Sequence, residues 1–114
     1  MAILTFSLQH GYKVGESTHL EVGLKELNSG DYIDAQVAAE KVIVHEGKAV
    51  AYTSDVMYGL ELLVRQVEYI GQVQGPLSVK ELRKLHQDDF MMIQKKAQEL
   101  DAMIAEELAQ RGRP

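Results

Sequence analysis

The chain has 114 residues, 46% apolar and 25% charged, which suits one folded domain with a single core and excludes wholesale disorder. Twelve basic against seventeen acidic residues give a net charge of -5, which runs against a nucleic-acid surface, since that needs clustered Lys and Arg. The lack of cysteine excludes disulfides, thiolate metal sites and cysteine nucleophiles, and with no membrane-length apolar run and no signal-peptide pattern in MAILTFSLQHG, a cytoplasmic protein is expected.

Leu4, Phe6 and Leu8 alternate with Thr5 and Ser7, and Leu20, Val22 and Leu24 repeat the pattern after a Gly-bounded segment, Gly11 to Gly15. That is the period of half-buried strands, so a long-looped hairpin is expected. Two strands alone are marginal in water, so the apolar face needs a helix or a second subunit.

In NSGDYIDAQ, residues 28–36, Asn28, Ser29 and Asp31 can each accept from the free N–H groups of a first helical turn, and Asp31 and Asp34 suit the positive end of the helix dipole. The Ala-rich continuation propagates a helix until Val42, Ile43 and Val44 weaken it. Residues 45–52, with Glu46-Gly47 between Val-rich flanks, fit either a loop or a small hairpin. A second helix starts at Thr53, Ser54 or Asp55. Its stripe is Val56, Leu60, Leu63, Val67 and Ile70, widened by Met57 and Val64, and Gly71 ends it. Ser78 and Glu81 form a capping box for a short third helix through Leu85. Asp88 or Asp89 caps a long last helix to about Gln110, with Phe90, Ile93, Ala97, Leu100, Ile104 and Leu108 along one seam. Arg111 to Pro114 read as a frayed end. The expected fold class is α+β, mainly α: a β-hairpin over 1–27, then about four helices over 28–114, the last one long, in a single domain of 1–114.

None of the candidates for chemistry carries a specific pattern. Asp31, Asp34 and Asn28 lack the ordered spacing of a calcium loop, and capping explains them without a ligand. His10, His19, His45 and His86 are far apart, with no H-x-x-x-H or H-E-x-x-H pair. Nucleophile-elbow and phosphate-loop motifs are missing. Asp88 and Asp89 project about 100° apart on a helix, which does not make an acid dyad. No catalytic, metal or cofactor site is expected.

Surplus apolar surface remains. Met57, Met91, Met92 and Met103 can fill core gaps, yet a widely apolar middle helix and a seamed last helix together suit burial against a second copy or a helical partner. The candidate partner-binding residues are Val56, Leu60, Leu63, Val67, Ile93, Leu100 and Ile104, some of which must be core.

The order of three stretches resembles the small tail assembly chaperones of Mu-like and related contractile-tailed phages and prophages. These are VGLKELNSGDYIDAQ, with Lys25 and Gly30-Asp31; YGLELLVRQVEYIG, with Arg65-Gln66; and GPLSVKELRKLHQDDF, with Pro76-Leu77 and Asp89-Phe90. Together they cover most of residues 18–94, while 45–52 match nothing in the pattern. The resemblance implies a non-enzymatic factor that coats the apolar, helical tape-measure protein, keeps it soluble, helps recruit tail tube subunits and is absent from the finished virion. Family members are often made in two lengths by ribosomal frameshifting, and the surplus apolar surface adds the expectation of a homo-oligomer in the host cytoplasm. The alternative reading is a small dimeric adaptor or inhibitor of phage origin that binds a host protein.

Overall fold

Alternating apolar residues produce the N-terminal hairpin in the computed structural model, which describes residues 2–112. Strands β1 (Leu4–Val14) and β2 (Ser17–Leu24) pair antiparallel from Leu4↔Leu24 to Val14↔Ser17. The expected long loop is instead mostly strand. Gly15, at φ +60°, lets the chain reverse at Gly15-Glu16, and Gly11 is absorbed into a bulge. Between the pairs Ser7↔Glu21 and Tyr12↔His19, residues 8–11 of β1 stand opposite Leu20 alone. Leu20, opposite that bulge, stays 46% exposed, while Val22 and Leu24 are buried as expected.

Helix α1 (Ser29–Ala38) opens where the caps indicated, with the Asn28 side chain accepting from the Asp31 N–H and the Asp31 carboxylate accepting from the Asn28 N–H. It stops at Ala38, several residues before the expected end. The β-branched run forms strand β3 (Glu40–His45), which turns at Glu46-Gly47 into β4 (Lys48–Thr53). Both turn residues have positive φ, 51° and 76°, as the two-residue turns that match strand twist require. Residues 45–52 are therefore a hairpin.

Ser54 caps helix α2 (Asp55–Gln66), which ends five residues before Gly71. Its expected continuation, VEYI, is strand β5 (Val67–Ile70), because the free edge of β2 offers partners in Val22↔Ile70 and Gly23↔Tyr69. After a turn at Gly71, β6 (Val73–Gln74) completes an antiparallel sheet in the order β1-β2-β5-β6. The Ser78–Glu81 capping box starts α3 (Val79–Leu82), and α4 (Gln87–Arg111) follows, with His86 rather than an aspartate at its N-cap. The C-cap is Gly112, and the rest of the expected frayed end, residues 113 and 114, lies outside the described residues.

The α+β class, the leading hairpin and the long last helix are as expected. Among the described residues there are four helices and six strands, so the part beyond residue 27 carries four strands: β3 and β4, which realise the hairpin left open over 45–52, and β5 and β6, which a helical reading missed. The core lies between the sheet and the helices: Leu8, Tyr12, Val22, Leu24, Val67 and Ile70 meet Leu63 and Val64 of α2, Leu82 of α3, and Ile93, Ala97 and Leu100 of α4. The radius of gyration is 16.4 Å, against about 13 Å for a compact chain of this length. The β3–β4 ribbon and the end of α4 account for the excess, since every residue of β3 and β4, and every described residue after Ile104, is exposed.

Candidate functional site

The largest set of exposed apolar side chains lies between residues 32 and 56. Antiparallel register puts Val42, Val44, Ala49 and Ala51 on one face of the β3–β4 ribbon and Ile43, Val50 and Tyr52 on the other. Both faces carry apolar side chains, the second together with Lys41, His45 and Lys48. Val42 and Val44 are 67% and 77% exposed, and Ile43, Val50 and Tyr52 between 43% and 48%. The base is held between two helices, with the Ser54 N–H donating to the Ala39 carbonyl at 3.0 Å. Helix α1 buries only Ala35 of its own residues and turns Tyr32, Ile33 and Val37 outward, and Val56 at the start of α2 is also exposed. Large apolar side chains exposed this densely along one stretch of chain mark a candidate interaction site.

A polar joint fastens the sheet to the long helix. Asp89, in the first turn of α4, is fully buried, and its carboxylate accepts from the backbone N–H groups of Gln9 at 2.7 Å, His10 at 3.1 Å and Gly11 at 2.9 Å. The bulge removes these donors from the β1–β2 ladder, and a buried N–H without a partner is costly, so the carboxylate meets a need that the bulge creates. Gly11, at φ +90°, permits the bend. Beside it the Tyr12 hydroxyl donates to Glu81 Oε2 at 3.0 Å. The Ser78 backbone N–H, then the Tyr12 hydroxyl, hold the Glu81 carboxyl below its ordinary value, while burial, then the hydrogen bond to Glu81, push the Tyr12 phenol up. Asp88 and Asp89 thus differ: Asp88 is exposed and Asp89 is a buried clasp, a role that helix capping alone did not suggest.

The joint also gathers histidines that are distant in sequence. The rings of His10 and His86 stack with centroids 3.6 Å apart at 13°, and His10 Nε2 lies 3.2 Å from Asp88 Oδ2. Among the described residues, His10, His86 and Asp88 are the one group of three or more His, Cys, Asp or Glu side chains whose donor atoms could converge on a cation.

The seven expected partner-binding residues divide sharply. Leu63, Val67, Ile93 and Leu100 are core, at 7% exposure or less, so this chain does not present them on its surface. Val67 is in a strand, where the helical stripe no longer applies. Val56 is 76% exposed and belongs with the β3–β4 ribbon and the outward residues of α1, together the arm. Ile104 is half-buried. Leu60 is half-buried too, and opens onto an apolar groove with Val79, Leu82, Leu85 and Phe90, rimmed by Arg83 and Gln87. Arg65 and Gln66 have structural partners: Arg65 donates to the backbone and side chain of Glu61, and buried Gln66 donates to Asp101 at 3.0 Å.

Strand-to-helix junction, arm, clasp and last helix all fall within residues 8–113, the span matched by the family model for tail assembly protein gp41. The chain belongs to that family. It is 40% identical over 107 residues to the Mu-like prophage FluMu protein gp41 of Haemophilus influenzae, covering 93% of this chain and 84% of that one. It is also 40% identical over 105 residues to the probable tail assembly protein gp41 of Escherichia phage Mu, covering 90% and 73%. A third relative, the probable tail assembly protein FS-gp41 of the same phage, is 39% identical over 101 residues and is spanned for 54% of its length. No solved structure matches the chain. For this gp41-family member the residues that suggested the likeness have structural jobs: Asp31 caps α1, Gln66 ties α2 to α4, and Asp89 clasps β1. Among the described residues, no helix is long and apolar enough to cross a membrane.

Proposed function

We propose that this tail assembly protein is a non-enzymatic chaperone that binds the tape-measure protein, keeps it soluble and helps recruit tail tube subunits. It acts in the host cytoplasm and leaves before the virion is complete. The supporting observation is the arm: a ribbon with exposed apolar side chains on both faces, beside the outward residues of α1 and Val56. Such a surface shields apolar helices of a partner, and the net charge of -5 keeps the complex in solution. The open edges of β3 and β4 add unpaired backbone groups, which favour self-association or strand addition when the partner is absent.

Co-expression with the tape-measure protein tests this reading. The soluble fraction of that protein should rise in the presence of the chain, and equal solubility with and without it would remove the chaperone role. Specific capture of a host regulatory protein, with no effect on the tape-measure protein, would support the adaptor alternative instead.

A further inference from the structure

We propose that His10, His86 and Asp88 form a binding site for a divalent transition-metal ion of the zinc or nickel class. Two imidazoles and a carboxylate are the donor set that such borderline ions take, with water in the remaining positions. The three side chains come from two elements, since His10 sits on the β1 bulge and His86 and Asp88 start α4. Their ligating atoms lie within 4.8 Å of one another. Donors about 2.0–2.1 Å from a tetrahedral ion are roughly 3.3 Å apart, so the exposed side chains must draw together and the stacked rings, 3.6 Å apart, must tilt out of parallel for both to face one ion.

The arrangement is held from behind. Asp89 fixes the His10 backbone at 3.1 Å, and His86 Nδ1 accepts from the Asp88 N–H at 3.1 Å, which orients its ring. Asp88 Oδ2 lies 3.2 Å from His10 Nε2, and because the His86 Nδ1 lone pair is engaged by the Asp88 N–H, His86 would offer Nε2 to an ion placed between the carboxylate and the two rings. Two effects oppose the ion: Lys13 and Lys84 line the adjoining groove, and the start of a helix carries positive potential. The Asp88 charge offsets them. A bound ion would cross-brace the joint that Asp89 already clasps.

Calorimetric titration of the full chain with Zn2+ and with Ni2+ at pH 7.5, in a buffer that does not chelate, tests the site. One equivalent should bind, with a rise in Tm. Affinity should fall at least tenfold in His10→Gln, and again in Asp88→Asn, while His19→Gln and His45→Gln bind as the parent does. The His10 and Asp88 side chains are exposed, so circular dichroism of the metal-free variants should match the parent. No binding by the parent, or equal binding by His10→Gln and Asp88→Asn, would overturn the proposal.

Discussion

The Asp89 carboxylate lies 2.7 Å from the backbone nitrogen of Gln9, across 80 residues of chain, and through that contact the long helix is locked to the first strand. The same group accepts from His10 and Gly11, so its removal strands three donors at once. Asp89→Ala should cost about 3 kcal/mol or more, read as a fall in urea midpoint of roughly 2 M at an m-value of about 1.5 kcal/mol/M. Asp89→Asn, with one acceptor oxygen, should fall between. Loss of the exposed Asn28 cap in Asn28→Ala should cost only about 1 kcal/mol. Equal effects at Asp89 and Asn28 would refute the clasp.

Gly11 and Gly15 both have positive φ, yet their surroundings differ. A Cβ at Gly11 would lie 2.5 Å from Thr18 Cγ2 and 3.0 Å from the His19 carbonyl oxygen, whereas a Cβ at Gly15 meets nothing within 4 Å. Gly15→Ala should cost about 1 kcal/mol from backbone strain alone, and Gly11→Ala clearly more, because it also disturbs the bend that delivers donors to Asp89. Thermal unfolding of the two variants checks the order.

The Tyr12–Glu81 bond gives the stability two pH limits. Glu81 is held below its ordinary value of 4.5, so its contribution is complete above about pH 4.5 and is lost as the pH falls through the lower folded value. Tyr12 is raised above 10.0, so its contribution is complete below that pH and is lost as the pH rises through the folded value. Unfolding free energy measured across pH should therefore lose part of its acid limb in Glu81→Gln and part of its alkaline limb in Tyr12→Phe.

What the sequence disclosed follows how local each determinant is. The Ser78–Glu81 capping box depends on residues three apart and is as read, and of the three cap residues open at the start of α1 the structure uses Asn28, with Asp31 completing a second box. The seam of α4 is correct because Ile93, Ala97 and Leu100 keep helical spacing over a long element. VEYI kept the same spacing, but its fate was decided by β2, more than forty residues away, whose edge draws it into the sheet. The clasp was hidden for the same reason: the bulge that makes Asp89 necessary lies at the other end of the chain. The arm did have a local signal. A β-branched run, a Glu-Gly turn and a second Val-rich run form a hairpin pattern, but apolar residues on both faces removed the usual alternation.

Arm and core substitutions should separate cleanly. Val44→Asp and Ile33→Asp change exposed positions and should leave stability within about 0.5 kcal/mol, while lowering tape-measure solubility in co-expression. Ile93→Ala, at a fully buried position, should cost about 3 kcal/mol. Light scattering should show the parent chain above its monomer mass of 12.8 kDa, with Val44→Asp shifted toward monomer. Unfolding of the chain by Val44→Asp would mean that the ribbon is core and not interface.

Hydrogen exchange of the chain, alone and in complex with a soluble segment of the tape-measure protein, shows whether the arm holds the partner. New protection should appear across residues 40–53 and the outward face of α1, with the β1-β2-β5 sheet unchanged. A complex that forms without added protection in 40–53 would contradict this role of the arm.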